Sequence, residues 1–501
     1  MKIAIVGAGF AGLSSAKVLR QLGHDVTVYE KAPDVGGVWS ATRRYPGLKT
    51  QNNKGTYALS DLPMPAAYPE APSGAQVQAY LQRYAEMFGL MPFVRLDTEV
   101  TLAEPTEGGG WDVTTPEGTE HYDHLVLASG IFSSPFVPEF EGRETFERLG
   151  GEIMPSGDLH SLDQVRGKHA LIVGYGKSAC DVTVEVAKAA ESTHVVAREL
   201  LWKMPRRVGN AVNYKYLMLT RMGEGLFRYR TVLGAERVLH ARGSALASRM
   251  LGTVETVSSR QLNLDRLGLR PAGQFSDIAR STVSLASEGF FEGVRDGAIT
   301  VHRDTTITRF VERDGLPCAE LADGSVVRAD IVLAATGWTQ DIPFLPAAVM
   351  DRLLDENGDF LLYRQIHPIQ VADLSFAGYN SSFFSPLSAE MSAVWIGSFL
   401  GGHHTPPSTE QMLHETRERL TWMRERTEGK HARGTNIIPF SMHNVDEVLS
   451  DVGLDVSSLV KAKQWLLPVN PSDYRQITPR LAARIADREQ APAGRLREAA
   501  R

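Results

Sequence analysis

The chain has 501 residues, with 53 basic and 59 acidic side chains giving a formal net charge of -6, and 43% of its residues are hydrophobic. That is the make-up of a globular enzyme of roughly two to four domains with ample core, and it leaves no basic footprint for nucleic acid. Two cysteines without a CxxC pair argue for a reducing, cytoplasmic setting and against a redox dithiol, no apolar run is long enough to span a membrane, and the buried-strand pattern at the very start leaves no room for a signal peptide.

From Lys2 the chain reads as an apolar strand, then Gly7-Ala8-Gly9-Phe10-Ala11-Gly12, a helical stretch, and a second strand ending at Glu30. Glycines at these spacings permit a tight turn, close approach of a pyrophosphate and packing of helix on strand, with the helix N-terminus facing the phosphates. Glu30, 23 residues after Gly7, is placed to accept from a ribose hydroxyl. After Lys31 come Gly36, Gly37, Val38 and Trp39; paired glycines let backbone lie against a bulky planar cofactor, while Trp39 reads equally as core.

Val94 to Gly130 reads as a strand, a β-meander and a final buried strand ending in Ala128-Ser129-Gly130. A second fingerprint then appears in HALIVGYGKSACD, with Gly174, Gly176 and Ala179 in the three places. Lys177 and Ser178 open the following helix, either as caps or as pyrophosphate donors. The second strand of this unit ends at Arg198, 24 residues after Gly174, so a base stands where the first copy has an acid. An acid repels a 2′-phosphate and a guanidinium binds one; the second site therefore reads as tuned for NADP, with Lys203, Arg206 and Arg207 adding positive charge.

The helical stretch from Tyr214 to Leu251 accounts for the greater length of the second half: Gly7 to Asp97 is 90 residues and Gly174 to Asp304 is 130. It reads as an amphipathic helix packed on its own domain, with a substrate lid, an oligomer contact or a membrane-surface helix as alternatives. Val301 to Gly337 then repeats Val94 to Gly130. Asp97 to Gly130 and Asp304 to Gly337 both span 33 residues, and both end in D-x-x-x-x-A-[ST]-G, the second closing on Thr336 and Gly337. Met350 to Leu400 returns to the first domain, and a charged helical tail follows Pro406 and frays in an Ala/Arg-rich end. Asp181 reads as a first-turn helix acid, His403-His404 as solvated loop, and His160 and His367 as structural.

The expected fold is α/β, with two Rossmann-like dinucleotide-binding domains and a helical insertion in the second. Residues 1–165 form the first part of the first dinucleotide-binding domain and 166–328 an NADP-binding domain with its insert at about 210–255. Residues 329–405 complete the first dinucleotide-binding domain, and 406–501 form a helical segment packed on it.

The chain resembles the class B flavin-dependent monooxygenases, and most closely the flavin-containing monooxygenases. The matching residues are Gly7, Gly9, Gly12 and Glu30; E-K-x-x-x-x-G-G-x-W ending at Trp39; YPGLKT at Tyr45–Thr50; GYGKSACD at Gly174–Asp181; REL-x-W-x-x-P-R at Arg198–Arg206; ATGW at Ala335–Trp338; and the segment Phe376–Trp395. The resemblance implies FAD in the first domain and NADPH in the second. NADPH reduces the flavin, O₂ adds to it, and the C4a-(hydro)peroxyflavin oxygenates a soft N or S nucleophile while NADP⁺ protects the intermediate. It assigns cofactor contacts to Gly7, Gly9, Phe10, Ala11, Gly12, Glu30, Lys31, Gly37, Val38, Trp39, Gly130, Gly174, Gly176, Lys177, Ser178, Ala179, Arg198, Arg206, Thr336 and Gly337. Its active-site Asn falls on Gln51, with Asn52 and Asn53 beside it, so Gln51 and Asn52 are the catalytic candidates. The partners implied are a small-molecule substrate and O₂; a homodimer stays open.

Two departures stand out. The family's F-x-G-x-x-x-H linker fingerprint has Leu149 for Phe and Pro155 for His, and Gln51 reaches one methylene further than Asn. These departures keep an NADPH oxidase or flavin reductase in view. Baeyer–Villiger insertion into a ketone is the other alternative, with Arg280 as its candidate arginine.

Overall fold

The computed structural model describes residues 1–232, 234–241, 244–280 and 284–490. Parts of the expected insert (233, 242–243) and the Ala/Arg-rich end (491–501) lie outside the described residues.

Two five-stranded sheets, parallel throughout, carry the architecture. In the first the order is Leu374–Phe376, His124–Leu127, Lys2–Val6, Asp25–Tyr29, Val94–Arg95. In the second it is Thr300–Arg303, Ser192–Ala197, His169–Val173, Ile331–Ala334, Glu152–Pro155. The central strands are covered on both faces, which is why KIAIV and HALIV are near-continuous apolar runs and not alternating ones.

The internal repeat is visible bond by bond. The Asp123 carboxylate accepts from Lys2 N–H at 2.7 Å and the Asp123 N–H donates to Lys2 O at 2.9 Å. Asp330 makes the same reciprocal pair with His169, at 2.8 Å both ways. At the far end of the same strands, Ala128 N–H donates to Val6 O and Ala335 N–H to Val173 O, each at 2.9 Å. The conserved spacing of the D-x-x-x-x-A-[ST]-G ending thus measures one strand, pinned at both ends to the strand that precedes a glycine turn. Asp97 and Asp304 both take the left-handed conformation, with φ of 49° and 54°. Each half also carries a three-stranded antiparallel meander, 102–122 in the first and 307–328 in the second.

The second sheet draws strands from outside residues 166–328. Glu152–Pro155 and Ile331–Ala334 both pair into it, while Leu374–Phe376 returns to the first sheet. The chain therefore crosses between the sheets twice, and the two crossings, Ser134–Pro135 and Trp338–Thr339, pair antiparallel with each other.

The insert holds helices Lys215–Met218, Arg221–Gly225, Gly234–Ala241, Ser244–Gln261 and Leu264–Leu267. It does not pack on its own domain alone. Arg221 forms a bidentate pair with Asp446 at 2.6 and 2.9 Å, and Glu224 accepts from the N–H groups of Met442 and His443, both at 2.9 Å. The C-terminal helix Ser441–Asp451 lies in turn against Ser385–Leu400, which packs on Phe10–Gln21. Among the described residues no helix is long and apolar enough to cross a membrane.

Candidate active site at the domain seam

Each central strand ends in a turn that demands glycine. Gly7 has φ of 106°, and a Cβ there would lie 2.6 Å from Ala128 O; Gly174 has φ of 124°, with Ala335 O at 2.5 Å from its Cβ position. The first turn also needs Gly12, whose Cβ would strike Gly7 O at 1.8 Å. Ala179 replaces the third glycine in the second turn and is fully buried. The helices that follow, Phe10–Gln21 and Lys177–Val186, both start on a glycine with no side-chain cap. Their first N–H groups are free for an anion. Space is left for one: a Cβ on Gly176 would meet nothing within 4 Å, and one on Gly9 would make only ordinary contact with Gly37.

These turns fit two dinucleotides. Glu30 is buried, and its carboxylate accepts from Ala8 N–H at 2.7 Å and Ala32 N–H at 3.0 Å. A carboxylate has about four acceptor positions, so capacity remains for a ribose. Gly37 (φ 58°) approaches Gly9, Val38 packs on the core, and Ala11 lies under Gly378. Phe10 and Trp39 both meet Tyr57 edge-on, at 5.3 and 5.9 Å. Trp39 is thus part of an aromatic wall and is almost wholly buried. Lys31 is largely exposed and makes only a 3.9 Å pair with Glu99. Gly130 and Gly337 hold φ of 77° and 102° at the two crossings, and Thr336 Oγ1 donates to Phe136 O.

On the second turn the basic residues separate by role. Arg198 is exposed at the end of Ser192–Ala197 and makes no hydrogen bond or ion pair among the described residues. Lys177 is tied to Asp181 and to Ser287 Oγ, the latter at 3.1 Å. Asp181 is therefore more than a first-turn acid, since it also accepts from Ser287 at 2.5 Å. Ser178 faces the Tyr45 hydroxyl of the first domain. Arg206 does not stand free: its Nη1 and Nη2 donate to Gln51 O at 3.1 Å and Thr50 O at 2.9 Å.

Residues 44–51 are gripped by the second domain along their length. His160 Nδ1 lies 3.5 Å from Arg44 O, and Gly47 sits against the side chain of Glu185. The Tyr214 hydroxyl donates to Gln51 O at 2.7 Å, and Gln51 Oε1 accepts from Leu285 N–H at 3.4 Å. Gln51 is half-buried at this seam. Asn52 is buried and turns the other way, its Nδ2 donating to Phe383 O; Asn53 Nδ2 donates to Glu70 at 2.5 Å. Of the three amides, Gln51 alone bridges the two domains. The sequence alone does not mark Tyr45 and Tyr214 as contact residues, because both face partners from the other half of the chain.

Several other expectations are settled by packing. Arg280 is held by Asp277 at 3.1 Å and Glu428 at 2.6 Å. His404 is not a solvated loop residue: it bonds Ser398 at 2.9 Å and meets the Trp395 ring at 4.6 Å, and burial pushes its pKa down to about 4. No metal-holding cluster of His, Cys, Asp and Glu occurs among the described residues. A cavity of about 770 Å³ is rimmed by charged residues such as Arg230, Glu410 and Arg417 and shares none of its lining residues with either turn. The seam, defined by named contacts, is the better candidate.

Two dinucleotide turns, one acid-tipped and one base-tipped, with Gln51 bridging their domains, define a protein built for two dinucleotides. Residues 1–461 match the family described as flavin-binding monooxygenase-like, and the chain belongs to that family. It is an FAD-dependent NADPH monooxygenase whose cofactors are FAD and NADP(H). The probable flavin-containing monooxygenase 1 of Arabidopsis thaliana is 25% identical, over 95% of this chain and 96% of its own. Among solved structures, the S-allyl-L-cysteine S-oxygenase of Allium sativum has a TM-score of 0.63 at 19% identity, covering 97% of this chain and 98% of that one. Cyclohexanone monooxygenase bound to ε-caprolactone has a TM-score of 0.66 at 17% identity, covering 90% and 98%.

Proposed function

We propose that the protein uses NADPH and O₂ to oxygenate a small substrate at a nucleophilic nitrogen or sulfur. When bound, reduced FAD activates O₂ and NADPH supplies the hydride. The uncapped turn at Gly9 holds the FAD pyrophosphate and Glu30 its ribose. Gly176, Lys177 and Ser178 hold the NADP(H) pyrophosphate, and the unpaired Arg198 binds the 2′-phosphate. Gln51 offers its amide N–H groups to the reacting region, while Arg206 and Tyr214 position its backbone. Asn52 supports the same loop from behind through Phe383. A cytoplasmic setting belongs to this reading.

The observation that carries the proposal is the Gln51 bridge: a residue of the first domain whose side chain accepts from Leu285 N–H and whose carbonyl accepts from Arg206 and Tyr214, all three from the second domain. Nitrogen or sulfur is favoured over a ketone because the charge of Arg280 is already committed to two carboxylates. The test is NADPH consumption against product for a panel of amines, sulfides and ketones. N- or S-oxides formed in step with NADPH are expected. Ester formation from ketones would move the assignment to Baeyer–Villiger chemistry, and peroxide as the sole product to an oxidase.

A further inference from the structure

We propose that Lys203 is a positioning residue for NADP(H): from beneath the Gly174–Gly176 turn it fixes the Tyr175 carbonyl and places a buried positive charge behind the pyrophosphate. This rests on seating that pyrophosphate at the Gly174–Gly176 turn.

Lys203 is 1% exposed. It lies in the short strand Lys203–Met204, which pairs with Ser284–Leu285. Its Nζ donates to Tyr175 O at 2.8 Å and to Ser284 Oγ at 3.0 Å, and stands 4.8 Å from the Tyr175 ring centroid. Both acceptors are neutral, and Lys203 has no ion pair among the described residues. The nearby Asp181 carboxylate is taken by Lys177 and Ser287. An ammonium buried without a counter-charge is costly, and a lysine retained in such a place asks what neutralises it. Tyr175 is the middle residue of the turn. On the other side of that turn lie the open space over Gly176 and the uncapped start of Lys177–Val186. A diphosphate in that space is the negative charge that Lys203 lacks.

Binding and protonation are then linked. Burial lowers the pKa of Lys203, and a bound diphosphate raises it again, so nucleotide binding takes up a proton. The other titratable groups facing Lys203 are Cys180, Asp181 and Lys177 from the helix and Tyr175 from the turn. Burial pushes the Cys180 thiol up.

The experiment measures dissociation constants of NAD⁺ and NADP⁺ for the FAD-loaded enzyme from about pH 6 to about pH 10, spanning the ordinary histidine and lysine ranges. NAD⁺ removes the 2′-phosphate from the titration. Wild-type affinity for NAD⁺ should fall with rising pH, by up to about tenfold per pH unit over the interval between the two Lys203 pKa values. Lys203→Met should weaken both nucleotides by about tenfold at neutral pH and flatten the profile, whereas Arg198→Ala should weaken NADP⁺ alone. Cys180→Ala should keep the slope. A pH-independent wild-type affinity, a slope that survives in Lys203→Met, or a slope lost in Cys180→Ala overturns the proposal; the wild-type and Cys180→Ala series decide it even where Lys203→Met does not fold. Gly176→Val separates the layers. If it leaves binding intact, the turn is not the pyrophosphate site and both readings fall; if it abolishes binding while the wild-type profile is flat, only the Lys203 proposal falls.

Discussion

Gln51 Oε1 accepts a hydrogen bond from Leu285 N–H at 3.4 Å, across the seam between the two dinucleotide-binding domains. The same residue's carbonyl accepts from Arg206 and Tyr214 of the second domain. The amide we propose to serve the flavin is therefore set by the domain we propose to hold NADP(H). An Asn at this position is one methylene shorter, so the longer side chain is what reaches Leu285.

Gln51→Ala removes the bridge and leaves Leu285 N–H without this partner. A neutral hydrogen bond contributes roughly 0.5–1.5 kcal/mol, so uncoupling should rise by about two- to tenfold. The check is peroxide released per NADPH consumed, with FAD content unchanged. Tyr214→Phe should move the same ratio in the same direction by less, because Arg206 still holds the Gln51 carbonyl.

Gly9→Val should yield folded protein without flavin. Its backbone is extended (φ -83°) and a Cβ meets only Gly37, so the fold tolerates the change while the added methyls occupy the pyrophosphate path. Flavin absorbance relative to protein absorbance measures this; normal FAD content would place the pyrophosphate elsewhere.

Arg198→Ala should raise the Michaelis constant for NADPH and leave that for NADH nearly unchanged. A hydrogen bond to a charged group contributes roughly 1.5–3 kcal/mol, which is one to two orders of magnitude. Arg198 is free of partners among the described residues, so no competing structural loss is expected. Equal weakening of both nucleotides would mean that another base reads the 2′-phosphate.

Much of this was legible in the sequence because it is local. The Gly7 and Gly174 turns, the acid and base tips, and the 33-residue repeat are short-range patterns with one physical meaning each. The Asp123–Lys2 and Asp330–His169 pairs show why that repeat has a fixed length. The rest depends on contacts between distant residues. Nothing near Glu152–Pro155 tells which sheet it joins, since its partner strand lies beyond residue 330. Lys203, Arg206 and Arg207 look alike as a basic cluster, yet Lys203 is buried under Tyr175, Arg206 grips Thr50 and Gln51, and Arg207 is exposed. Tyr214 sits in an insert with no counterpart in the first half, so the repeat offered no guide to its role.

The insert's attachment should be pH-dependent. His443 lies between Glu224 at 2.5 Å and Glu236 at 3.0 Å, half-buried against the Tyr229 ring at 4.2 Å. Burial works to lower its pKa, but the two carboxylates outweigh it and raise the value to about 10. A folded pKa above the unfolded value of about 6.5 contributes stability fully below pH 6.5, which is lost as pH rises through about 10. The contribution is of the order of a few kcal/mol. The thermal midpoint should fall across that window in the wild type, and His443→Gln should start lower and fall less. A wild-type midpoint that is flat or rising there contradicts the assignment.

The central claim is that reduced flavin in this chain passes oxygen to a substrate. The direct test is to reduce the FAD-loaded enzyme with NADPH without oxygen, mix it rapidly with O₂, and follow flavin absorbance with and without a nucleophilic amine or sulfide. The expected record is a transient absorbing between reduced and oxidised flavin, which persists while NADP⁺ is bound and decays faster with a substrate that is recovered as its N- or S-oxide. Direct return to oxidised flavin with one peroxide per NADPH, across the whole substrate panel, would contradict it.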